Sequence, residues 1–501
     1  MDELMSEKSN NTKSFNLNNI TLGVFNIIKP TYDRTQLSPG IVHIGVGNFH
    51  RAHFSWYVHR LMQEGKAFDW AIIGSGVQNY DIQMREKLQK QDYLTTLIEL
   101  SPDGNKNCEI IGPMIDYVPV EKNNRSLIKV MTNPSTRIVS LTATEGGYYL
   151  NSNKTDLDLS HQDILHDINN PESPRTVFGA IVCALDIRRK EGDGPFTCLS
   201  CDNLIKNGDK LKQLVLGIAK KNNIQLYNWI EENCTFPNSM LDCIVPTTGE
   251  RELKLISKIG INDLVPVVHE NFRQWVLEDK FCAGRPEWEK VGVQFSSKVH
   301  QYEEQKIRIL NAGHQIIANA AELLGMNTID QALKHAGIYK LLKKVEVEEI
   351  IPHVEPLPDL TPTEYFKLIL NRFLNPEIKD TIRRVAFDGS SRHSIFLVPS
   401  INDSIEKNNS IEGLALVEAL WARMCQGIRE DKSKIDDNDP IWDTLHSYAI
   451  DAKKNPLKWF ELKDVYGNLK DDQSFKEEFT KWFRKIEELG VEKTINQYVS
   501  S

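Results

Sequence analysis

The sequence predicts an α/β protein, with a doubly wound, mostly parallel sheet in its first half and a mostly α-helical second half. Between Gly40 and Ser200, short apolar runs alternate with helical patterns. This alternation is typical of a parallel sheet that is covered by helices. After Gln301, apolar residues recur at helical spacing through most of the remaining chain.

The individual elements follow from the spacing of apolar residues and from the residues that interrupt it. The predicted strands are residues 40–44, 70–76, 93–99, 138–143 and 196–200, with weaker strand patterns at 264–268 and 292–295. The predicted helices are residues 52–64, 82–91, 176–191, 301–325, 333–345, 362–373, 411–428 and 473–489. We expect an N-terminal tail and docking segment at 1–37, a nucleotide-binding domain at 38–228 and a helical domain at 229–501. Residues 229–298 are irregular, and their packing onto the sheet is an open alternative.

Length, charge and apolar patterning limit the class of protein. The chain has 501 residues, enough for two domains or one large two-lobed enzyme. Its net charge of −9 argues against non-specific nucleic-acid binding, which needs clustered Lys and Arg. No apolar run reaches the length that spans a bilayer, and the polar N-terminus has no signal-peptide core. With eight scattered cysteines as well, we expect a cytoplasmic protein without nucleic-acid or membrane partners.

A glycine-rich turn follows the first predicted strand. Gly45-x-Gly47 stands between a strand and a helix, where backbone amides meet the pyrophosphate of a dinucleotide in Rossmann-like domains. His50 occupies the position of the usual third glycine, so an ordinary strand–helix turn is an equal alternative for this motif alone. The candidate cofactor-binding residues here are Gly45, Val46, Gly47, Asn48, Phe49, His50 and Arg51.

Two further strand ends bear on the cofactor. The strand at 70–76 has no acid at its end to bind a ribose hydroxyl, and Asp81 is a late candidate for that role. No Arg or Lys stands there to bind a 2′-phosphate, which favours NAD over NADP. Glu145 and Gly146 follow the strand at 138–143, and such carboxyl-terminal ends face the cofactor cleft.

A proline-free stretch at residues 301–325 gathers groups that can hold or move protons. At about 100° per residue, Glu303, Lys306, Asn311 and His314 share an arc of roughly 140°. One interpretation is the wall of a pocket in which desolvation moves the lysine towards neutrality. The other, favoured by this stretch alone, is a half-buried helix whose polar side chains satisfy each other.

Three other motifs have competing interpretations. Asn203 follows the strand at 196–200, and its amide could serve a developing oxyanion or simply a turn. Cys198-x-x-Cys201 lacks a second pair or a histidine pair, so neither redox nor metal use is expected. Tyr302-x3-Lys306 matches the short-chain dehydrogenase pair, although Tyr339-x3-Lys343 matches it equally well.

Several motifs together resemble one family, the polyol-specific long-chain dehydrogenases, which is typified by mannitol 2-dehydrogenase and includes uronate oxidoreductases. The motifs are GIVHIGVGNFHRAH (40–53), QDYLTTL (91–97), SLTATEGGY (140–148), SCDN (200–203), PNSMLDCIVP (237–246), ENFRQWVLED (270–279) and Lys306-x4-Asn311-x2-His314. Eukaryotic members look closest, through GRPEWEKVGVQ (284–294). The resemblance covers most of the chain, from about Gly40 onwards. It implies an NAD-dependent enzyme that transfers a hydride between D-mannitol and D-fructose and that is a monomer.

The resemblance also implies roles for individual residues. Lys306 is expected to be a general base that works without a metal, and Glu303 to link it to solvent. Asn203 and Asn311 are expected to hold the reacting oxygen, and His314 to orient the substrate hydroxyl. The expected substrate contacts are Asp242, Arg384 and Arg392.

The chain departs from the family pattern at two of these places. Cys243 stands where the family usually has an arginine, and Arg392 stands where a lysine is expected. Arginine keeps the charge but cannot deprotonate. Related substrates such as sorbitol, arabitol or mannonate therefore remain alternatives, as does a catalytically silent protein that binds a nucleotide.

Overall fold

The computed structural model describes residues 27–76, 78, 80–143, 147–149, 157–258 and 260–501. The first part of the predicted N-terminal tail, residues 1–26, lies outside the described residues. The chain forms two compact units: residues up to 101 with 105–300, and residues 102–104 with 301–501. Residues 229–298, whose place the sequence left open, belong to the first unit, so the domain boundary falls about seventy residues later than the expected position near 229.

The first unit contains three sheets and the first helices. Its strands are β1 (Ile27–Ile28), β2 (Pro39–Ile44), β3 (Ala71–Ser75), β4 (Thr95–Leu100), β5 (Lys106–Ile111), β6 (Met114–Tyr117), β7 (Ile138–Leu141), β8 (Thr197–Ser200), β9 (Ser239–Asp242), β10 (Val267–Glu270), β11 (Gln274–Leu277) and β12 (Gln294–Phe295). Its helices are α1 (Asn48–Ala52), α2 (Phe54–Gln63), α3 (Asp81–Lys90), α4 (Arg125–Met131), α5 (Gln162–Asn169), α6 (Val177–Glu191), α7 (Asn207–Asn222), α8 (Ile224–Asn233) and α9 (Glu250–Lys258).

The main sheet has five parallel strands in the order β6-β3-β2-β7-β8. Both of its faces are buried, because Val42 and Ile44 of β2 pack into one apolar cluster and Ile41 packs into another. Near-continuous apolar strands are what a parallel sheet covered on both faces requires. The predicted doubly wound sheet is therefore confirmed.

Two smaller sheets in the same unit were only partly predicted. The strand expected at 93–99 forms as β4, but it belongs to a mixed sheet of order β1-β5-β4-β10. A third sheet has the order β12-β11-β9, with β9 antiparallel to β11. The strand expected at 264–268 begins later, at Val267. Short strands of this kind have no long periodic pattern, so their register depends on their neighbours.

The second unit is built from helices that follow α10 (Val299–Gln305). They are α11 (Ala312–Leu323), α12 (Ile329–Lys334), α13 (Ala336–Val345), α14 (Pro362–Phe373), α15 (Ile382–Ala386), α16 (Gly389–Phe396), α17 (Val398–Glu406), α18 (Glu412–Met424), α19 (Trp442–Ala452), α20 (Lys463–Tyr466), α21 (Gln473–Leu489) and α22 (Val491–Ser500). Two π-helical segments, Lys306–Asn311 and Glu346–Ile350, lie between α-helices. Every residue of α11 is buried, as expected for a central helix that is apolar on most sides.

Helix bounds agree with the sequence where a cap defines them. Helix α14 has the predicted bounds 362–373, because Thr361 and Glu364 form a reciprocal capping box. Helix α21 has the predicted bounds 473–489, because Asp472 caps its start and Gly490 follows its end. Within the described part of the chain, no helix is long and apolar enough to cross a membrane.

Candidate active site

The turn after β2 contains two glycines, Gly45 and Gly47, with different surroundings. Gly45 has φ +94°, and a Cβ there would lie 2.3 Å from the carbonyl oxygen of Thr142. Only glycine satisfies both conditions. A Cβ on Gly47 would meet no atom of the described residues within 4 Å, and Gly47 immediately precedes α1. This open space beside backbone amides fits the pyrophosphate of a dinucleotide.

The side chains that follow this turn are largely committed to the protein interior. His50 stacks on His43, with ring centroids 3.5 Å apart, and both rings are buried. The guanidinium of Arg51 donates to the carbonyl of Val265 and, at 2.7 Å, to Oδ1 of Asn48. The side chains of His50 and Arg51 are thus buried, and a cofactor contact at these two residues stays a prediction.

The remaining residues of the motif present backbone or partly exposed side chains. Val46 is buried in the core, whereas Gly47 is exposed and Asn48 and Phe49 are half-buried. The ring of His43 contacts the turn, and its Nε2 lies 3.2 Å from the Gly45 carbonyl oxygen. Burial lowers the pKa of His43 to about 3, so this support is a neutral imidazole.

The loop after β3 uses Asp81 for its own conformation. The Asp81 carboxylate accepts a hydrogen bond from the backbone N–H of Gln78 at 2.9 Å, at the start of α3. This contact orders the loop. A role for Asp81 in ribose binding stays a prediction. The other candidates near this cleft, Glu145 and Gly146, lie outside the described residues.

The ends of β7 and β8 are joined by an acid that the sequence analysis did not single out. Asp202 accepts hydrogen bonds from the Tyr148 hydroxyl at 2.7 Å and from the Ala143 N–H at 3.1 Å. Asn203 follows directly and is exposed. Since β2, β7 and β8 are consecutive parallel strands, Gly45 and Asn203 lie at the same edge of the sheet. The acid beside Asn203 in SCDN was the available sequence signal.

The cysteines of the first unit are packing residues. Cys198 and Cys201 are buried and free, and burial raises the pKa of both thiols well above the ordinary value. Thiols in that state are poor nucleophiles.

Asp242 ends β9 and, like the following Cys243, is buried. Among the described residues, no group of three or more His, Cys, Asp or Glu side chains is placed to hold a metal ion.

The predicted helix at 301–325 forms, but its middle turn is wider than an α-helical turn. Lys306 begins the π-helical segment and Asn311 ends it, with α10 before it and α11 after it. The i→i+5 hydrogen bonds change the angle between these two residues, so the arc calculated from α-helical geometry does not apply. Glu303, Lys306, Asn311 and His314 are all buried. π-helical turns are frequent at functional sites.

His314 is held between an aromatic ring and an acid. Its ring centroid lies 4.4 Å from that of Phe373, and its Nε2 lies 3.7 Å from Oδ2 of Asp380. Burial lowers the pKa of His314 to about 3, although Asp380 acts in the opposite direction. The imidazole is therefore neutral near pH 7 and can both donate and accept a hydrogen bond.

The two predicted substrate-binding arginines lie close to this histidine. Arg384 makes a bidentate pair with Asp380, Nε to Oδ1 and Nη2 to Oδ2, both at 2.6 Å. Arg392 donates from Nη1 to the carbonyls of Val385 at 2.6 Å and Arg384 at 3.2 Å. The second unit thus brings His314 and Arg384 together through Asp380, a residue that the sequence analysis missed, and Arg392 joins them through the carbonyls of Arg384 and Val385.

Tyr302, the tyrosine of the short-chain dehydrogenase alternative, is hydrogen-bonded to an acidic side chain. The Tyr302 hydroxyl donates to Oδ1 of Asp359 at 3.0 Å. Burial and this neighbouring carboxylate raise the pKa of Tyr302. A tyrosine that serves as a general base needs the opposite shift. The bonding of Tyr302 to Asp359 therefore argues against the short-chain dehydrogenase alternative.

Comparisons with known proteins give one family for both units. Residues 39–290 match the family described as the mannitol dehydrogenase Rossmann domain, and residues 298–487 match the mannitol dehydrogenase C-terminal domain. The chain is 45% identical over 475 residues to mannitol 2-dehydrogenase of Cereibacter sphaeroides, covering 95% of this chain and 99% of that protein. This is a bacterial enzyme, so the comparison does not support a closer likeness to eukaryotic members.

Two solved structures are similar over almost the whole chain. The first is the Pseudomonas fluorescens mannitol 2-dehydrogenase ternary complex with NAD and D-mannitol, at 36% identity and TM-score 0.90. It covers 97% of this chain and 99% of its own. The second is a D-sorbitol dehydrogenase in substrate-free form, at 34% identity and TM-score 0.86, covering 96% and 99%.

Proposed function

Because the chain belongs to the mannitol dehydrogenase family, we propose that it is an NAD-dependent oxidoreductase that interconverts D-mannitol and D-fructose. The observation that carries this proposal is the buried set of Lys306, Asn311 and His314 on one helix with a π-helical turn. The likeness to a solved complex with NAD and D-mannitol supports the choice of cofactor and substrate.

The proposed chemistry assigns one task to each group. Oxidation of a secondary alcohol needs a proton acceptor for the hydroxyl, and Lys306 fills that role without a metal. The amide of Asn311 donates to the oxygen as negative charge develops, worth about 3 kcal/mol for a fixed donor, and Asn203 remains a second candidate for that role. The neutral imidazole of His314 orients the hydroxyl, and Glu303 passes the lysine proton towards solvent.

Cofactor binding is assigned to the first unit. The turn at Gly45 and Gly47 admits the pyrophosphate, and Asn48, Phe49, Asp81, Glu145 and Gly146 remain candidates for the rest of the nucleotide. Bound NAD supplies the hydride acceptor. The described residues just after β3 include neither Arg nor Lys up to Asp81, which favours NAD over NADP.

A neutral polyol suits the arginines better than a sugar acid does. The guanidinium of Arg384 is matched by Asp380, and Arg392 is bonded to two backbone carbonyls. A carboxylate substrate would have to compete with those partners. D-sorbitol is the second candidate, supported by the structural likeness to a D-sorbitol dehydrogenase. Asp242 is the proposed further substrate contact.

We also propose that the protein is cytoplasmic and monomeric. No disulfide joins cysteines in the described part of the chain, which agrees with a reducing compartment. Size-exclusion chromatography with light scattering tests the monomer, since a dimer would double the mass expected from the 57.3 kDa chain.

One assay tests the reaction and separates its rivals. Purified protein is incubated with NAD or NADP and D-mannitol, D-sorbitol, D-arabitol or D-mannonate, and with NADH and D-fructose, while reduced cofactor is followed by absorbance. We expect the highest kcat/KM with NAD and D-mannitol. Cofactor binding without turnover on any substrate would contradict the enzyme and favour a silent nucleotide-binding protein.

A chelation experiment tests the metal-free mechanism. Activity should survive prolonged dialysis against EDTA, because the lysine replaces a metal-bound base. Loss of activity that added zinc restores would contradict this part of the proposal.

A further inference from the structure

Helix α11 carries two buried amides beyond the residues proposed for catalysis. Gln315 and Asn319 follow Asn311 at intervals of four residues, so the two lie along one face of the helix. Nε2 of Gln315 donates to the carbonyl oxygen of Val385 at 2.9 Å. Nδ2 of Asn319 lies 3.1 Å from Nε2 of His393. Each amide thus connects α11 to a different short helix.

Those short helices carry the two arginines proposed to bind the substrate. Val385 is next to Arg384 in α15, and its carbonyl also accepts the 2.6 Å hydrogen bond from Arg392. His393 is next to Arg392 in α16. The amides therefore act on Val385 and His393, the chain neighbours of the two arginines.

His393 is fixed on its other side by a buried chain of hydrogen bonds. Its Nδ1 lies 2.8 Å from Oε1 of Glu418, and its ring stacks on Trp421 with centroids 4.1 Å apart. Oε2 of Glu418 accepts from the Tyr466 hydroxyl at 2.7 Å. Because the amide nitrogen of Asn319 can only donate, Nε2 of His393 accepts, and Nδ1 carries the proton that is donated to Glu418. Asn319 thus also fixes the tautomer of His393.

The two amides carry a cost that apolar side chains would avoid. Oε1 of Gln315 and Oδ1 of Asn319 are buried without a hydrogen-bond partner among the described residues. A buried polar atom without a partner is unfavourable, and leucine at either position would remove it. The hydrogen bonds made by the two amide nitrogens must therefore offset this cost, which apolar packing would not incur.

We propose that Gln315 and Asn319 are positioning residues that hold Arg384 and Arg392 in place for the polyol, through the Val385 carbonyl and His393. This inference rests on the proposed function, because it takes the two arginines as substrate contacts. The π-helical segment and the start of α11 then carry Lys306, Asn311 and His314, and Gln315 and Asn319 of α11 set the geometry of the substrate-binding arginines.

The test separates substrate binding from stability. Gln315→Leu and Asn319→Leu should each raise KM for D-mannitol about tenfold, since a lost buried hydrogen bond misplaces an arginine. kcat should change by less than about threefold, and the Kd for NADH should be unchanged because the dinucleotide turn lies in the first unit. If a leucine variant does not fold, the corresponding alanine variant makes the same comparison without added volume.

Tyr466→Phe is the matched control. It removes the buried hydrogen bond to Oε2 of Glu418, whereas His393 is bonded to Oε1, so the direct hydrogen bonds of Gln315 and Asn319 stay in place. It should lower Tm and leave KM unchanged. If the Gln315 and Asn319 variants lower Tm in the same way with an unchanged KM, their role is structural only and the inference is overturned. A wild-type protein without polyol turnover would overturn the proposed function as well.

Discussion

Nε2 of His314 lies 3.7 Å from Oδ2 of Asp380, the oxygen that also accepts the 2.6 Å hydrogen bond from Nη2 of Arg384. One buried carboxylate therefore links the candidate orienting histidine to a candidate substrate-binding arginine. Burial of the imidazole outweighs the attraction of this acid for a proton, and His314 stays neutral.

Because His314 is neutral in the folded chain, it should take up a proton when the chain unfolds at mildly acidic pH. Its pKa is about 3 in the folded chain against 6.5 ordinarily, so between these values only the unfolded chain holds the proton. Stability from this group is therefore complete above pH 6.5 and is lost as pH falls towards 3. Potentiometric titration at pH 5 should show that His314→Asn takes up about one proton fewer on unfolding than wild type.

An unchanged count in His314→Asn would mean that the folded histidine is already protonated at pH 5.

Lys306→Ala should lower kcat by about 10²- to 10⁴-fold, the range for loss of a general base. The Kd for NADH should change little, because the dinucleotide turn lies in the other unit. Stopped-flow hydride transfer and NADH fluorescence titration measure the two effects. Tyr302→Phe is the matched control and should retain most activity. If Tyr302→Phe is instead the more damaging change, the tyrosine is the base.

Gly45→Ala and Gly47→Ala should behave differently. A Cβ at Gly45 would collide with the Thr142 carbonyl at a positive φ, so Gly45→Ala should lower Tm and abolish NADH binding. A Cβ at Gly47 would have no atom of the described residues within 4 Å, so Gly47→Ala should keep the wild-type Tm. It should nevertheless weaken NADH binding about tenfold if the open space holds the pyrophosphate. Calorimetry and fluorescence titration distinguish the two; unchanged NADH affinity in Gly47→Ala would place the pyrophosphate elsewhere.

Glu346→Gln should stabilise the protein more at pH 8 than at pH 5. The Glu346 carboxyl is buried beside Gly313 without a hydrogen-bond partner among the described residues, and burial raises its pKa well above 4.5. As pH rises above 4.5, the unfolded carboxyl ionises while the folded one stays neutral, so stability falls with rising pH. Glutamine removes this dependence. Equal changes in Tm at both pH values would show that Glu346 is ionised in the folded chain.

The architecture was largely accessible from sequence because its signals are local. The bounds of α14 and α21 follow from caps at Thr361 and Asp472, and β2 follows from an apolar run that ends at Gly45. The predicted family resemblance is confirmed by matches to both domains of the mannitol dehydrogenase family. The short strand β9 and the late domain boundary were not accessible, since both depend on long-range pairing.

By itself, the sequence determined the fold class, the glycine turn and the spacing of Lys306, Asn311 and His314, because strand and helix periods are properties of neighbouring residues. Only the tertiary structure decided what those side chains meet. Packing between strands and helices placed His50 in the core, inserted a π-helical turn after Lys306, and set Asp380 between His314 and Arg384. Burial and the identity of each partner depend on residues far away in the chain, and no local pattern encodes them.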